Sequence, residues 1–526
     1  MNIREVIEAA AAKGKDKTYL FFEDQEVSFQ DFDAKVNQVS DGLMGLGVKH
    51  GDKIALMLPN CPEFLYAWFG ANKLGAIMVP VNTAFKAEET KYIVSHSEAK
   101  VVVTHPTFLQ MLKTICRDCK AVQSIVCMGD LSDSDVIPFS AISNGSPVLA
   151  PVNIDDEDVA AYVYTSGTTG FPKGVMLPHR AYVNTGQAFG LWFNLTPEDR
   201  VINHNPLFHG NAQFYATMGS LCAAIPLILV EKFSASRFWD ETRRYKATIA
   251  TPFGAPLLMK QPPSDRDKDH PVRAFFFNMP TAFRQRFNVE VRGGFSMTET
   301  MIGAFCDVPA LEKERGGPLD DVRCIGRGAP HPDPAKNTQI KVVDANDNEL
   351  PVGQIGELVV KGPALMKGYF KQPEETVKAL RGGWMHTGDA AWLGEDGCYY
   401  FFGRRKDIIR VSGENVSPAE VEAVINTHPK VQESACIPVP SPVRGEEIKA
   451  YVVLKPGETL APEEIVDWCR ERIAYFKVPR YVEFRDVPLP KTAATMRIQK
   501  HILKAEKPNL TEGCYDRGER PAWYHA

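Results

Sequence analysis

The sequence predicts an α/β protein: a large N-terminal region of doubly wound sheets, a β-rich part at about 335–405, and a small α+β domain at the C-terminus. Three observations predict it. Over the first 130 residues, short apolar runs alternate with amphipathic stretches, the pattern of mostly parallel strands crossed over by helices. After about residue 335, strand-like runs are separated by turn-rich segments instead. Near Lys406 the texture changes again to mixed helix and strand. This sets the expected boundary: 1–405 for the large domain and 406–526 for the small one.

In order along the chain, a helix is expected from Asp31 to Leu46 and a strand over Lys53–Leu58. A helix from Cys61 to Lys73, a strand at Ala76–Val81, a helix near Ala87–Ser97 and the β-branched strand Lys100–Thr104 follow. In the β-rich part, Gln339–Val343 and Ile355–Lys361 read as strands around the turn-rich Asp344–Gly353. Cys398–Gly403 follows the pair Asp396-Gly397, a hairpin signal. Ser417-Pro418-Ala419-Glu420 matches a capping box with proline at the first helical position. That helix ends at His428-Pro429, and another runs from about Glu463 to Tyr475.

At 526 residues the chain holds about three to four average folding units. It can bury several cores without disulfides or structural metal. Composition is that of a soluble protein, 44% hydrophobic and 24% charged. Sixty basic against 65 acidic residues leave a net charge of −5, which argues against a nucleic-acid partner. The 11 cysteines form no framework. Cys116 and Cys119 make one C-x-x-C with no second pair at zinc-ribbon spacing, so two reduced cysteines on one helix are expected. The N-terminal stretch carries early acids and no long apolar core, unlike a signal peptide. The longest apolar run, Gly219–Val230, contains Pro226 and is shorter than the ~20 residues that span a bilayer. A cytoplasmic protein with no integral membrane association is the expectation.

One segment carries chemistry on its face: Tyr164-Thr165-Ser166-Gly167-Thr168-Thr169-Gly170-Phe171-Pro172-Lys173-Gly174, directly behind the strand-like Val159–Val163. Glycines let backbone N–H groups approach an anion, hydroxyls donate to phosphate oxygens, and Lys173 adds a point charge. It is not a Walker loop, because Gly170 and Lys173 are not adjacent and no Ser or Thr follows the lysine. The alternative is a flexible polar surface loop, which the strand in front and the lone lysine behind Pro172 disfavour.

This segment resembles the phosphate-binding signature of the adenylate-forming enzymes, which include the acyl-CoA synthetases. Further motifs follow in that family's order: Phe295-Ser296-Met297-Thr298-Glu299, Trp384-Met385-His386-Thr387-Gly388-Asp389, Gly403-Arg404-Arg405-Lys406-Asp407, and Ser412-Gly413-Glu414-Asn415-Val416-Ser417-Pro418-Ala419-Glu420. The resemblance extends over about residues 20–505. It adds to the expected fold a small barrel-like β subdomain and a C-terminal domain that is mobile.

The resemblance implies ATP, Mg2+ and coenzyme A, and assigns roles. Thr165, Ser166, Gly167, Thr168, Thr169, Gly170 and Lys173 would hold phosphates, with Lys173 also catalytic. Phe295 would stack on adenine, where the family usually has tyrosine, and Ser296, Met297 and Thr298 would complete that side of the nucleotide. Glu299, with Thr298, would hold Mg2+. Asp389 and Arg404 would contact the ribose, Lys406 would be the hinge, and Gly413 would border the coenzyme A tunnel. His209, in Pro206-Leu207-Phe208-His209-Gly210, matches a segment that gates thioester formation, against a purely structural role. A homodimer is a family-level expectation.

The sequence departs from the family in two places. The usual Leu-Pro-Lys-Thr-x-x-Gly-Lys-Ile is here Leu489-Pro490-Lys491-Thr492-Ala493-Ala494-Thr495-Met496-Arg497-Ile498-Gln499-Lys500. Counting from Pro490 puts Met496 at the catalytic lysine, and counting back from Ile498 puts Arg497 there. We favour Arg497, because a cation must face the developing charge; Lys491 or Lys500 is the alternative. Arginine is forked and bulkier than an ammonium, so the exchange is not conservative. The second departure is Phe275-Phe276-Phe277-Asn278-Met279-Pro280, where many members have a Gly-Gly-Ala-Pro-like stretch. Together with Glu231–Trp239 and Gln261–Ser264, it resembles the crotonobetaine/carnitine-CoA ligase branch, which implies a small or medium carboxylic acid without establishing carnitine. Three activities are therefore weighed: an acid–thiol ligase making acyl-CoA, an enzyme that loads its acyl group on a carrier protein, and a nucleotide-binding protein with a weakened site.

Overall fold

The structure is a computed structural model. It describes residues 1–129, 133–165, 172–321, 323–404, 409–416, 418–490, 498 and 500–518, and of 256, 402–404, 415, 419 and 501 the backbone alone. Among the described residues the strands form three sheets.

The first is an eight-stranded sheet whose middle is parallel. Its order is Gly368–Tyr369, Lys173–Pro178, Val159–Thr165, Ile77–Pro80, Lys53–Met57, Ala99–Thr104, Ser124–Cys127 and Ile137–Pro138. These strands read as continuous apolar runs because helices cover both faces. The helix Pro62–Lys73 shows the extreme case: Phe64, Leu65, Trp68 and Phe69 are all fully buried. Even Lys73 is buried, its ammonium 2.8 Å from Asn37 Oδ1 and paired with Asp33. The predicted elements here shift by one or two residues, as helix ends do: the first long helix is Phe29–Gly45, capped by Ser28, whose hydroxyl accepts from Asp31 N.

A second sheet of 13 strands starts parallel, from Thr18–Phe22 through Leu227–Leu229, Val201–Asn203, Ile249–Ala250 and Ala274–Phe276 to Glu290–Phe295. It then turns antiparallel. The β-rich strands 339–404 continue it through the pairing of Cys324 with Tyr400. The expected hairpin at Asp396-Gly397 joins Met385–Leu393 to Tyr399–Arg404, with Gly397 at φ +73°. The apolar run 219–230 divides into the end of a short helix, a left-handed Ala224 and the buried strand Leu227–Leu229.

A third sheet of six strands occupies the C-terminal part, dominated by the long ribbon Val431–Ser441 against Gly445–Leu454. The helix Pro418–Asn426 lies where it is predicted. Its expected capping box is not read: Ser417 lies outside the described residues, and Glu420 turns inward to accept from Lys477 at 2.7 Å. Cys119 stands beyond the helix Pro106–Cys116 rather than on it, its thiol donating to Ile115 O.

By internal packing the chain divides into two units. One comprises 1–83, 94–164 and 174–405; the other comprises 84–93, 165–173 and 406–526. Among the described residues no helix is long and apolar enough to cross a membrane.

Candidate functional site

The glycine-rich loop leaves the strand Val159–Thr165 at Thr165 and re-enters the sheet at Lys173, the first residue of Lys173–Pro178. Thr165 is half-buried and Lys173 is buried. Ser166, Gly167, Thr168, Thr169 and Gly170 lie outside the described residues. Tyr164 shares a hydrogen bond of 2.8 Å with His96 Nδ1, and its ring lies against Gly174, where a Cβ would meet it at 3.2 Å.

Glu299 sits in the tight turn after strand Glu290–Phe295, and it is only 7% exposed. A buried carboxylate needs donors, and Tyr369 supplies one: its hydroxyl donates to Glu299 Oε1 at 2.9 Å. Met366 N donates to the Glu299 carbonyl at 2.9 Å. Tyr369 belongs to a short strand whose residues pair with Val175 and Met176, just beyond the glycine-rich loop. The segment 366–370 thus joins the two large sheets at Glu299. Burial and the neighbouring carboxylate raise the Tyr369 phenol above its ordinary range, so it remains a donor. Thr298 and Met297 are half-buried, and Ser296 is exposed. Phe295 is buried, its ring stacked 6.4 Å from that of Phe401.

Asp389 lies on a bulge. Strand Gly356–Lys361 pairs Glu357 with Ala390 and Val359 with His386, so Thr387, Gly388 and Asp389 together oppose Leu358 alone. Bulges of this kind re-aim side chains beside functional sites. Thr387 Oγ1 donates to Leu358 O at 2.6 Å and accepts from Asp389 N at 3.1 Å. Gly388 adopts φ +71°, a conformation that favours glycine. On its other side Asp389 is the direct cross-strand partner of Arg404. Two residues far apart in the motif order are thereby adjacent.

His209 follows the loop 204–208 and precedes a π-helix, Ala212–Thr217, an irregularity frequent at functional sites. Its Nδ1 accepts from Asn211 N at 3.2 Å, leaving the proton on Nε2. The ring meets Phe253 edge-on at 4.7 Å, and desolvation lowers its pKa to about 4. Three amides hold the loop: Asn60 Oδ1 accepts from Leu207 N at 2.7 Å, Gln213 Nε2 donates to Leu207 O at 2.8 Å, and Asn205 Oδ1 accepts from Phe253 N at 2.8 Å. Tyr215, on the π-helix, donates to Met301 O at 2.7 Å and lies 4.5 Å from Phe276. None of these positioning side chains was legible in the sequence. Asn60 and Gln213 belong to no motif, and Asn60 reaches Leu207 from 147 residues away.

Gly413 occupies a two-residue hairpin between Ile409–Val411 and Glu414–Val416, with Ser412 at φ +53° and Gly413 at φ +89°. Two positive φ values make a type I′ turn. Glu414 beside it is pushed up to about 7 by burial, with Lys477 opposing. Lys406 and Arg497 lie outside the described residues, as does Lys491. Lys500 is placed on the helix Lys500–Ala505, with its ammonium 2.6 Å from Glu422.

Residues 7–370 match the AMP-binding enzyme model and 420–495 match the AMP-binding enzyme C-terminal domain. The chain belongs to the AMP-binding, adenylate-forming acyl-CoA ligase family. It is 36% identical over 493 residues to the crotonobetaine/carnitine–CoA ligase of Escherichia coli strain SE11, covering 90% of this chain and 92% of that one. The Salmonella heidelberg enzyme of the same name is 34% identical, over 95% of this chain and 98% of its own. Among solved structures, an o-succinylbenzoate CoA synthetase variant from Bacillus subtilis superimposes with a TM-score of 0.81 at 25% identity, covering 95% of this chain and 98% of that one. A fatty acyl CoA synthetase from Mycobacterium tuberculosis gives 0.68 at 28% identity, over 96% and 98%. Within this family the enzymes are AMP-forming ligases, and Glu299 lies inside the matched span 7–370.

Proposed function

We propose that this protein activates a small or medium carboxylic acid with ATP and transfers the acyl group to coenzyme A. The acid's oxygen attacks the α-phosphorus of ATP, pyrophosphate leaves, and a mixed anhydride with AMP remains. The coenzyme A sulfur then bonds to the acyl carbon, AMP leaves with the bridging oxygen, and the thiol proton passes to solvent. Carboxylate alone would have to expel an oxide; the adenylate supplies a good leaving group. In phosphoryl transfer the protein chiefly positions reactants and offsets charge.

The observation that carries this reading is the buried Glu299 carboxylate, held through one oxygen by Tyr369. Its donor set, with the Thr298 hydroxyl, is hard oxygen, which suits Mg2+ bound through few carboxylates and the phosphates of ATP. Such an ion would neutralise phosphate charge. In this reading the 165–173 loop, with Lys173, holds the phosphates, Phe295 packs at adenine, and Asp389 with Arg404 takes the ribose. Arg497 provides the cation, Lys406 the hinge, and Gly413 borders the coenzyme A path, in an N-terminal domain of 1–405 and a lid of 406–526. His209 gates the thioester half. The stretch Phe275–Pro280, which departs from the family's usual Gly-Gly-Ala-Pro-like segment, supports a small or medium acid over a long-chain one. A cytoplasmic homodimer belongs to the same reading.

The test is AMP and pyrophosphate release across short, aromatic and betaine-type acids, with and without coenzyme A. The expected result is acid-dependent pyrophosphate release that turns over only when coenzyme A is present. Repeated turnover without it points to another acyl acceptor. Absence of pyrophosphate with every acid favours a nucleotide-binding protein, the reading that the missing lysine motivates.

A further inference from the structure

We infer that Glu357 is a positioning residue that sets the aim of Asp389 toward the ribose of ATP. This rests on the proposed role of Asp389. Glu357 lies on the strand opposite the 387–389 bulge and is 7% exposed. A bulge removes ladder acceptors from the backbone N–H groups it carries, and a buried N–H must find another. For Gly388 that acceptor is Glu357 Oε1, at 2.9 Å. The second oxygen is itself held: His386 Nδ1 is 3.2 Å from Oε2, and Arg381 Nη2 is 3.6 Å away.

Asp347 backs the arrangement from outside. It takes Arg381 through both oxygens, at 2.9 and 3.0 Å, and lies 3.8 Å from His386 Nε2. Glu357 is therefore fixed by partners on both oxygens and fixes, in turn, the residue immediately before Asp389. From the other side Thr387 ties the same bulge to Leu358 O and holds Asp389 N. With both hydrogen bonds in place, Gly388 keeps φ +71° and the Asp389 Cα stays opposite Arg404. Removing the carboxylate leaves the Gly388 N–H without its acceptor, and the bulge is free to relax. Asp389 then loses its aim without being altered itself.

The experiment compares ATP with 2′-deoxyATP and 3′-deoxyATP as substrates for pyrophosphate release, in wild type, Glu357→Ala, Glu357→Gln and Asp389→Ala. Hydrogen bonds from two ribose hydroxyls to a carboxylate predict a wild-type preference for ATP of about tenfold or more. We expect Glu357→Ala to lose most of that preference, mainly through the KM for nucleotide, as Asp389→Ala does. Glu357→Gln keeps it, since its amide oxygen can still accept from Gly388. A merely structural role would lower activity on all three nucleotides alike. A folded Glu357→Ala that retains the wild-type preference overturns the inference. If Glu357→Ala melts below the assay temperature, Glu357→Asp, whose shorter side chain withdraws the acceptor from Gly388 N, is read in its place, and the same two outcomes decide. Failure of the parent reading looks different: the wild type releases no pyrophosphate, or Asp389→Ala leaves the preference intact.

Discussion

The Tyr369 hydroxyl donates to Oε1 of Glu299 at 2.9 Å, across the junction of the two large sheets. Neither residue could hold this geometry alone: Glu299 lies in a turn after one sheet, and Tyr369 hangs from the edge of the other. A neutral donor of this kind orients a carboxylate without cancelling its charge.

Tyr369→Phe removes that donor and keeps the ring. A hydrogen bond to a charged group contributes about 1.5–3 kcal/mol, so pyrophosphate release should fall roughly ten- to a hundredfold. The Mg2+ needed for half-maximal rate should rise with it. Titrating Mn2+ binding to the ATP-loaded variant by electron paramagnetic resonance checks the metal effect apart from turnover. Unchanged Mn2+ affinity together with an unchanged rate would remove Tyr369 from the site.

In the proposed reading Arg497 takes the place of the family's lysine. Arg497→Ala should lower acid-dependent pyrophosphate release by about 10²–10³-fold, as loss of one charge-stabilising donor does. Arg497→Lys should retain it or increase it. A full rate in Arg497→Ala shows that another cation serves. Lys500 is already engaged with Glu422 at 2.6 Å, so Lys491 would be examined next.

His209 is neutral throughout the physiological range, because desolvation holds its pKa at about 4. His209→Ala should leave single-turnover pyrophosphate release intact and slow thioester formation. Between pH 6 and 8 the wild-type thioester rate should carry no titration from this imidazole. A pH step near 6.5 that disappears in His209→Ala would contradict the assignment.

His179 connects burial to stability. It is fully buried at the start of the helix His179–Trp192, its Nδ1 accepts from Ile3 N at 3.3 Å, and desolvation lowers its pKa from 6.5 to about 4. A cation at a helix N-terminus is unfavourable as well. Between pH 6.5 and 4 the unfolded chain therefore binds a proton that the folded one refuses. Stability is intact above about 6.5 and is lost as pH falls through that window, by about 1.4 kcal/mol per unit for this group. His179→Gln should flatten the decline of the thermal midpoint between pH 6.5 and 5. An identical slope in the variant would assign the acid sensitivity elsewhere.

Much of the fold was legible because local patterns decide it. The strands Lys53–Met57 and Ala99–Thr104 are short apolar runs, the second rich in β-branched valines, and they pair in parallel from Ile54 with Val101 to Met57 with Thr104 after a register shift beside Lys53. The N-terminal helix Ile3–Gly14 was not assigned, although Asn2 and Glu5 form a full capping box there. The long ribbon 431–454 was missed because its proline-interrupted strand dilutes the alternation. The bulge at Thr387–Asp389 is invisible in sequence, since it exists only as a mismatch with a strand some 30 residues earlier.

By itself the sequence determined the chemistry on offer: a glycine- and hydroxyl-rich loop with one lysine, a carboxylate after Phe295-Ser296-Met297-Thr298, an aspartate after His-Thr-Gly, and an arginine near the family's usual lysine. These are covalent facts, ordered along one chain, and motif spacing reports them faithfully. Tertiary structure alone decided which side chains hold them. Tyr369 reaches Glu299 from 70 residues away, Glu357 reaches Gly388 from 31, and Asn60 holds Leu207 from 147. The reason is physical. A buried carboxylate or N–H must be satisfied by whatever the fold brings within about 3 Å, and sheet topology, not sequence separation, sets that neighbour.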